Sequence, residues 1–234
     1  ESAGGRAVLT DPNLPSGSDR IRAALEAIDP EGRYDAVINL QGDMPFADPG
    51  LATACAALLH GQPGCDIATL IAPEAGVEAR SNPDVVKAVV ALDEGEHHGR
   101  ALYFTRSTLF GDGPVWRHIG LYGYRRDALT RFCAAPPSPL EKREKLEQLR
   151  ALEMGLSIWA SVIPEAPLWV RAMATRGGAL IAGWVPARTA RASLRVSQAT
   201  ASSSVWSGAA LSSDTSAIRP IISWDGNGQG WLEW

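Results

Sequence analysis

The feature that most constrains this sequence is a short apolar run that ends in a tight polar turn. Val37 to Leu40 are followed by Gln41-Gly42-Asp43 and then by Met44-Pro45. A run of this kind, without alternation, predicts a strand buried on both faces, as in a parallel sheet covered by helices. The glycine permits a sharp turn or a close approach to a ligand. Asp43 is then expected at the carboxyl end of a central strand, where open α/β sheets bind their ligands.

A carboxylate in that position suits a magnesium ion that carries phosphate oxygens. The alternative is that Asp43 is a turn residue whose side chain bonds its own backbone. Gly-Asp turns are common, so this turn alone leaves both interpretations open.

The remaining sequence alternates β-rich and helical stretches, which is typical of an α/β fold. Strands are predicted at 7–10, 37–40, 66–72, 85–92, 101–105, 119–124 and 157–163. Helices are predicted after the caps Ser18, Asp48, Asp127 and Ser138, and the last one is expected to run to about Met154, with Gly155 as its stop. The strands 85–92 and 101–105 flank a turn-prone stretch and predict a hairpin. We expect it to form a small β-rich lid or dimer element outside the main sheet.

Composition excludes several classes of function. The net charge of −4 gives no support to nucleic-acid binding, and no apolar run is long enough to span a membrane. The three cysteines, Cys55, Cys65 and Cys133, fit reduced thiols in a cytosolic protein. His97 and His98 fall in a charged turn without a nearby cysteine, so we interpret them as solvated surface residues.

The composition changes sharply near residue 170. Residues 1–170 contain 16 Lys and Arg against 23 Asp and Glu, whereas residues 171–234 contain six Arg, no Lys and three acidic residues. Five of the eight Trp lie in this second stretch, and its apolar residues follow no lasting periodicity. We expect residues 169–234 to be a frameshifted or misassembled end that packs poorly, with a divergent natural extension as the alternative.

Six segments, in order and with near-family spacing, resemble the 3-deoxy-manno-octulosonate cytidylyltransferases, or CMP-Kdo synthetases. They are 14–21, 37–45, 82–87, 101–106, 118–125, and 137–141 running into 146–150. The resemblance covers about residues 1–168, which we take as one truncated cytidylyltransferase domain. It implies a nucleotidyltransferase fold with a mostly parallel sheet, and a cytoplasmic homodimer that serves lipopolysaccharide biosynthesis.

The reaction implied by the resemblance is CTP plus 3-deoxy-manno-octulosonate (Kdo) to CMP-Kdo plus diphosphate, assisted by Mg²⁺. Asp43 is the implied catalytic metal ligand. Nucleotide contacts are implied for Gln41 and for a loop consisting of Ser16, Gly17, Ser18 and Arg20. An ordinary helix N-terminus capped by Ser18 is an equal alternative for that loop.

The same resemblance implies a pocket for the anionic, hydroxyl-rich sugar acid, formed by Arg106, His118, Tyr122, Glu147 and Gln148. The side chains of His118 and Tyr122, four apart on one predicted strand, point to the same face. Each residue also has an ordinary interpretation. Arg106 fits a solvated surface charge, the His–Tyr pair a half-buried sheet face, and the Glu–Gln pair a solvated side in the middle of a helix.

The sequence departs from the family pattern at three places. The family's triphosphate loop would precede residue 1, Met44 replaces a glutamate, and Trp169 to Ala172 stand where the second metal carboxylate is expected. We therefore expect the chain as given to form little or no CMP-Kdo. Two other functions stay open, namely a cytidylyltransferase for another sugar acid, such as a sialic acid, and a non-catalytic sugar-binding or dimerising fragment.

Overall fold

The computed structural model describes residues 8–40, 44, 47–74, 77–109 and 111–167, together with the backbone of five short strands beyond residue 171. The elements up to residue 162 are α1 Gly17–Ile28, β1 Ala36–Asn39, α2 Pro49–Gly61, β2 Ile67–Glu74, a 3₁₀ turn Val77–Arg80, β3 Lys87–Ala91, β4 His98–Thr105, β5 Val115–Arg125, α3 Arg126–Ala134, α4 Pro139–Glu144, α5 Gln148–Glu153 and β6 Ile158–Val162. None of the helices in these ranges is long and apolar enough to cross a membrane.

The strands form one mixed sheet in the order β2-β6-β4-β3-β5-β1, with a further strand from the tail on β1. β2 also pairs with β5, so β2, β6, β4, β3 and β5 close into a ring. Among the described pairings only β2–β6 is parallel. The α/β class is confirmed, but the prediction of a mostly parallel sheet is wrong. An unbroken apolar run reports burial on both faces, and antiparallel strands covered by helices satisfy it equally well.

Helices cover both faces of the sheet. Val37 belongs to an apolar cluster that includes residues of α1, α3 and α5, whereas Ile38 belongs to a second cluster with α2. The predicted burial of this strand on both sides is therefore confirmed. β5 packs so closely against β1 and α2 that a Cβ at Gly123 would lie 2.9 Å from the Cδ1 atom of Ile38 in β1 and 3.2 Å from the Sγ atom of Cys55 in α2. A glycine is needed at this contact because the neighbouring side chain would otherwise have to move.

The predicted hairpin is present as β3 and β4, but it does not stand outside the main sheet. β3 pairs with β5 at Lys87 and Ala88, and the start of β4, at His98 to Arg100, pairs with β6. The outer edges of both hairpin strands therefore form hydrogen bonds with the sheet. His98 consequently lies in a strand, while the carbonyl of His97 accepts a bond from the backbone of Val162.

Several predicted element ends are shifted by local hydrogen bonds. α1 is capped by Ser16, whose Oγ accepts from the backbone N–H of Asp19, so Ser18 lies inside the helix. Asp48 caps α2 as predicted. Asp127 lies in the first turn of α3 and pairs with Arg131 instead of capping. A strand was predicted at 7–10, but the described part of this stretch, residues 8–10, has no regular secondary structure.

The single helix predicted from Ser138 to Met154 is two helices. The capping box at Ser138 and the stop at Gly155 are both present. Between them Lys145 adopts the left-handed conformation, with φ of 55°, and ends α4. The backbone N–H of Leu146 bonds the carbonyl of Glu141 across this turn. The prediction failed because charged helix-forming side chains give no sign of a single left-handed residue.

Five short strands are described in the tail: β7 Ala172–Ala174, β8 Leu180–Ala182, β9 Ala209–Leu211, β10 Ser223–Trp224 and β11 Gly230–Trp231. β7 pairs with β8 and β10 with β11, while β9 pairs antiparallel with β1 at the edge of the sheet. The poor packing of this segment and the boundary near residue 168 stay predictions.

The left-handed turn at Lys145 yields a stability test. A side chain in this conformation costs roughly 1–2 kcal/mol, so Lys145→Gly should raise the free energy of unfolding by about 0.5 kcal/mol. Lys142→Gly, the same change in the exposed interior of α4, should lower it by about 1 kcal/mol. Urea denaturation of both variants checks this. Equal losses in the two variants would contradict the structure at this turn.

Candidate functional site

The loop before α1 is tied together by short hydrogen bonds. Ser16 Oγ donates to Asp19 Oδ2 at 2.7 Å while it caps the helix. The buried guanidinium of Arg20 donates to the backbone carbonyls of Asp11, Pro12 and Leu14 at 2.9 to 3.2 Å. Arg20 therefore holds the loop against the helix, and a direct nucleotide contact of this residue stays a prediction.

Ser18 connects α1 to a residue far along the chain. It is buried within the first turn of α1, and its Oγ donates to Oε2 of Glu147 at 3.2 Å. The two residues are 129 positions apart. The predicted nucleotide loop and the predicted sugar helix are thus in direct contact.

Glu147 is held by a second, charged contact. Its Oε1 accepts from Nη2 of Arg150 at 3.0 Å. Arg150 is itself buried; Glu141 pairs with it, and its charge stacks on the ring of Phe132 at 4.4 Å. Both oxygens of Glu147 are therefore oriented. Burial raises the pKa of Glu147 above its ordinary value, against the opposing effect of hydrogen bonds from Ser16 and Ser18 and of the Arg150 charge.

The predicted mid-helix placement of Glu147 and Gln148 is wrong, and the alternative of a solvated helix side does not hold for Gln148. Because the chain turns at Lys145, Glu147 occupies the N-cap position of α5 and Gln148 is its first residue. Gln148 is buried, and the side chain of Glu147 is 35% exposed. A turn that the sequence did not predict thus brings both residues to the end of a helix, where Glu147 faces α1.

One face of β5 forms an aromatic wall. The ring of His118 lies 5.3 Å from that of Tyr122, which in turn lies 5.9 Å from that of Tyr124. The predicted common face of His118 and Tyr122 is therefore confirmed. Burial raises the pKa values of both Tyr122 and Tyr124, and the charge of Glu147 adds a smaller contribution to each. Glu147 consequently acts on the two tyrosines of the wall.

The protonation of His118 follows from its partner. Nε2 lies 3.0 Å from the Oγ1 of buried Thr69, whose hydroxyl also reaches the carbonyls of Ile119 and Leu121. The single hydroxyl proton goes to those carbonyls, so the network assigns the N–H to Nε2 and leaves Nδ1 as an acceptor. Burial lowers the pKa of His118 to about 3, which keeps the ring neutral. The carbonyls converge where the register of β2 against β5 shifts after Thr69.

Arg106 lies at a second location, one residue after the end of β4. Its Nη1 donates to the carbonyl of Pro83 at 3.0 Å, and its backbone contacts Lys87 and Glu144. Gln41, Gly42 and Asp43 lie outside the described residues, so the structure gives no position for the predicted metal ligand. The described residues contain no group of three or more His, Cys, Asp or Glu that could hold a metal ion.

Residues that the sequence did not single out complete the site. Tyr124 could have been found by alternation, since it follows Tyr122 by two on the same strand face. Thr69, Glu144 and Arg150 gave no signal because their roles depend on contacts between distant segments.

The site offers oriented hydrogen-bonding groups for a polyhydroxylated ligand. It has a carboxylate, a neutral imidazole acceptor and two phenols. The three thiols of the described chain all have raised pKa values because they are fully or partly buried, which disfavours a cysteine nucleophile. A covalent intermediate through one of these thiols is therefore disfavoured.

The family described as cytidylyltransferase matches residues 1–158. The chain belongs to the cytidylyltransferase family. Two similar relatives are the 3-deoxy-manno-octulosonate cytidylyltransferases of Rhodospirillum centenum and Parvibaculum lavamentivorans. They are 57% and 58% identical over 170 residues, which is 72% of this chain and 66% and 65% of the relatives. The chain thus spans slightly less than two thirds of the length of these two cytidylyltransferases.

A solved structure of a cytidylyltransferase is also similar to this chain. It is a CMP:2-keto-3-deoxy-manno-octonic acid synthetase complexed with CTP, with a TM-score of 0.63 and 31% identity. The match covers 72% of this chain and 68% of that one. The mixed α/β fold is therefore a known cytidylyltransferase fold.

The neutral state of His118 predicts how stability depends on pH. In the unfolded chain His118 binds a proton near pH 6.5, whereas in the folded chain its pKa is about 3. Stability is therefore lost as the pH falls between these values. From pH 6 to pH 5 the free energy of unfolding of the wild type should fall by about 1 kcal/mol more than that of His118→Gln. Urea denaturation at both pH values measures the difference.

The pH window also limits the influence of other groups. Asp29 has a pKa lowered to about 2, although its burial acts in the opposite direction, because its backbone and side-chain hydrogen bonds and Arg126 favour the charged form. Its contribution is lost only below about pH 4. Glu147 titrates in both proteins and cancels in the comparison. Equal pH slopes for the wild type and His118→Gln would show that His118 is not held neutral.

Proposed function

We propose that this chain is the greater part of a Kdo cytidylyltransferase, which makes CMP-Kdo and diphosphate from CTP and Kdo for lipopolysaccharide biosynthesis. The names of the relatives support the reaction. The single structural observation that carries the proposal is the Ser18–Glu147 hydrogen bond. It joins the loop assigned to the nucleotide with the helix assigned to the sugar, as a reaction between the two substrates requires.

In the proposed reaction the anomeric 2-hydroxyl of Kdo attacks the α-phosphorus of CTP. A sugar O–P bond forms, the bond to the bridging oxygen breaks, diphosphate leaves, and the hydroxyl proton passes to solvent. The protein contributes mainly the alignment of the two reactants and the neutralisation of phosphate charge. A site made of oriented hydrogen-bonding groups without a reactive thiol suits such a direct displacement.

The proposed sugar contacts follow from the chemistry of Kdo. Its hydroxyls would donate to Glu147 and to the Nδ1 atom of His118, and would bond the phenol of Tyr122 and the amide of Gln148. Its carboxylate would pair with the guanidinium of Arg106.

The nucleotide contacts are proposed at the start of α1. Ser16, Gly17 and Ser18 would face cytosine and ribose, and Arg20 supports this loop through the carbonyls it holds. Gln41 and Asp43 are proposed for the edge between nucleotide and sugar. When bound, Mg²⁺ would screen the phosphate oxygens, with Asp43 as the proposed protein ligand.

We further propose a homodimer in the cytoplasm, since the resemblance implies both. The sialic-acid alternative uses the same chemistry with another sugar acid, and the non-catalytic alternative keeps only sugar binding. Kdo, a sialic acid and CTP therefore form the substrate panel for the test.

The test uses a chimera, because this chain spans only part of its relatives. The 170 matched residues replace the corresponding segment of the Rhodospirillum centenum relative, and diphosphate release is measured with CTP and each sugar acid. We expect release with Kdo and Mg²⁺, and a loss of at least about a hundredfold in Asp43→Asn. Removing Mg²⁺ with a chelator should abolish release by the unsubstituted chimera.

Asp48→Asn is the matched control, since it is the same chemical change five residues away at a helix cap where Asn serves as well as Asp. It should keep nearly full activity. Release with a sialic acid in preference to Kdo would favour the first alternative. No release with either sugar, in a chimera that still binds Kdo, would favour the non-catalytic one.

A further inference from the structure

The backbone of Arg106 is held by two charged residues of opposite sign. Its N–H points to Oε2 of Glu144 at 3.5 Å, and its carbonyl accepts from Nζ of Lys87 at 2.8 Å. The guanidinium is steered by the carbonyl of Pro83. A residue at the end of a strand has no further ladder bonds, so these contacts replace the ladder that stops at Thr105.

Glu144 is the centre of a larger set of bonds. Its Oε2 also accepts from Oγ1 of Thr105 at 3.1 Å, and its Oε1 from the phenol of Tyr103 at 3.4 Å. Arg143 pairs with the same carboxylate and donates to the phenol at 2.9 Å. The Glu144 side chain is only 12% exposed, so it is desolvated and its hydrogen bonds are worth more than bonds at the surface.

Lys87 is fully buried at the start of β3. Its ammonium donates to the carbonyls of Asn82 at 2.7 Å and Arg106 at 2.8 Å. Burial, and secondarily the charge of Arg106, lowers the pKa of Lys87. Lys87 thereby joins Asn82 to the residue that follows β4. Pro83, the neighbour of Asn82, supplies the carbonyl that accepts a hydrogen bond from the guanidinium of Arg106.

Glu144 also lies next to the other half of the sugar site. It is the last residue of α4. Only two residues separate it from Glu147, namely Leu146 and Lys145, of which Lys145 is left-handed. The same short segment therefore bonds the end of β4 on one side and presents Glu147 to Ser18 on the other. A shift of α4 against β4 would change the separation between Arg106 and Glu147.

We propose that Glu144, supported by Lys87, is a positioning residue that fixes Arg106 relative to Glu147 and thereby sets the spacing between the carboxylate and hydroxyl contacts of the sugar acid. This inference rests on the proposed function for the identity of the ligand. Glu144 itself acts through the backbone of Arg106 and does not touch the substrate. Its carboxylate is already occupied by protein donors.

The test compares Glu144→Gln with Glu153→Gln in the full chain. Glu153 is a matched control, since its carboxylate also accepts from a hydroxyl, that of Ser138, and from a backbone N–H, that of Leu140 at 3.1 Å, but away from Arg106. Thr105→Val, which removes the best hydroxyl donor to Glu144, is a second variant in case Glu144→Gln does not fold.

Two quantities are measured for each protein. The first is the ¹⁵N order parameter of the Arg106 backbone amide, which should fall from about 0.85 toward 0.6 in Glu144→Gln and stay unchanged in Glu153→Gln. The second is the Kd for Kdo by calorimetry, which should rise about tenfold in Glu144→Gln, or 1.4 kcal/mol. Thr105→Val should change both quantities in the same direction.

The two measurements separate the possible failures. An unchanged order parameter of Arg106 in both Glu144→Gln and Thr105→Val would overturn the inference, whatever happens to Kdo binding. A lowered order parameter with an unchanged Kd would show that Glu144 is merely structural. If the wild-type chain does not bind Kdo, the role of Glu144 in sugar binding fails, the chimera still decides the proposed function, and the order parameter still decides whether Glu144 holds Arg106.

Discussion

The covering of the sheet on both faces is the constraint on which the rest of the structure depends. Val37 and Ile38, neighbours on one strand, enter two different apolar clusters. Inside such a sheet a polar group must find a protein partner, because water cannot reach it. Thr69 and His118 satisfy each other in this way. Most of the proposed ligand-binding groups accordingly lie where strands end and helices begin.

Three parts of the proposed site occupy such places, whereas His118 and Tyr122 of the aromatic wall lie within β5. Ser16 and Ser18 lie at the start of α1, Glu147 lies at the start of α5, and Arg106 follows the end of β4. Long-range bonds from Ser18 to Glu147 and from Thr105 to Glu144 join these ends. A sugar acid with a carboxylate at one end and hydroxyls along its chain needs contacts of both kinds at a fixed spacing. In the proposed complex, the helical segment that contains Glu144 and Glu147 sets that spacing.

The sequence alone could predict what depends on local patterns. The apolar run at Val37, the cap at Asp48 and the stop at Gly155 are all where their residue types place them. The shared face of His118 and Tyr122 followed from strand geometry. The family resemblance named Glu147 as a site residue, although its surroundings were mispredicted.

What could not be predicted depends on pairing across the chain. The prediction of strand direction failed because burial on two faces does not distinguish parallel from antiparallel neighbours. The break at Lys145 was not predicted because a lysine in the left-handed conformation has no sequence signature. The placement of Glu147 was mispredicted for the same reason. Nothing in the sequence pattern pointed to Glu144, because its partners Tyr103 and Thr105 lie about 40 residues away on strand β4.

The central claim is that one ligand engages the aromatic wall of β5, Glu147 and Arg106 together. Isotope-filtered nuclear Overhauser effects between unlabelled Kdo and the ¹³C-labelled chain test it directly. We expect contacts from Kdo protons to the rings of His118 and Tyr122 and to the methylenes of Glu147 and Arg106 in one bound state. Contacts to only one of these groups, or to the surface of α2 on the opposite face, would contradict it.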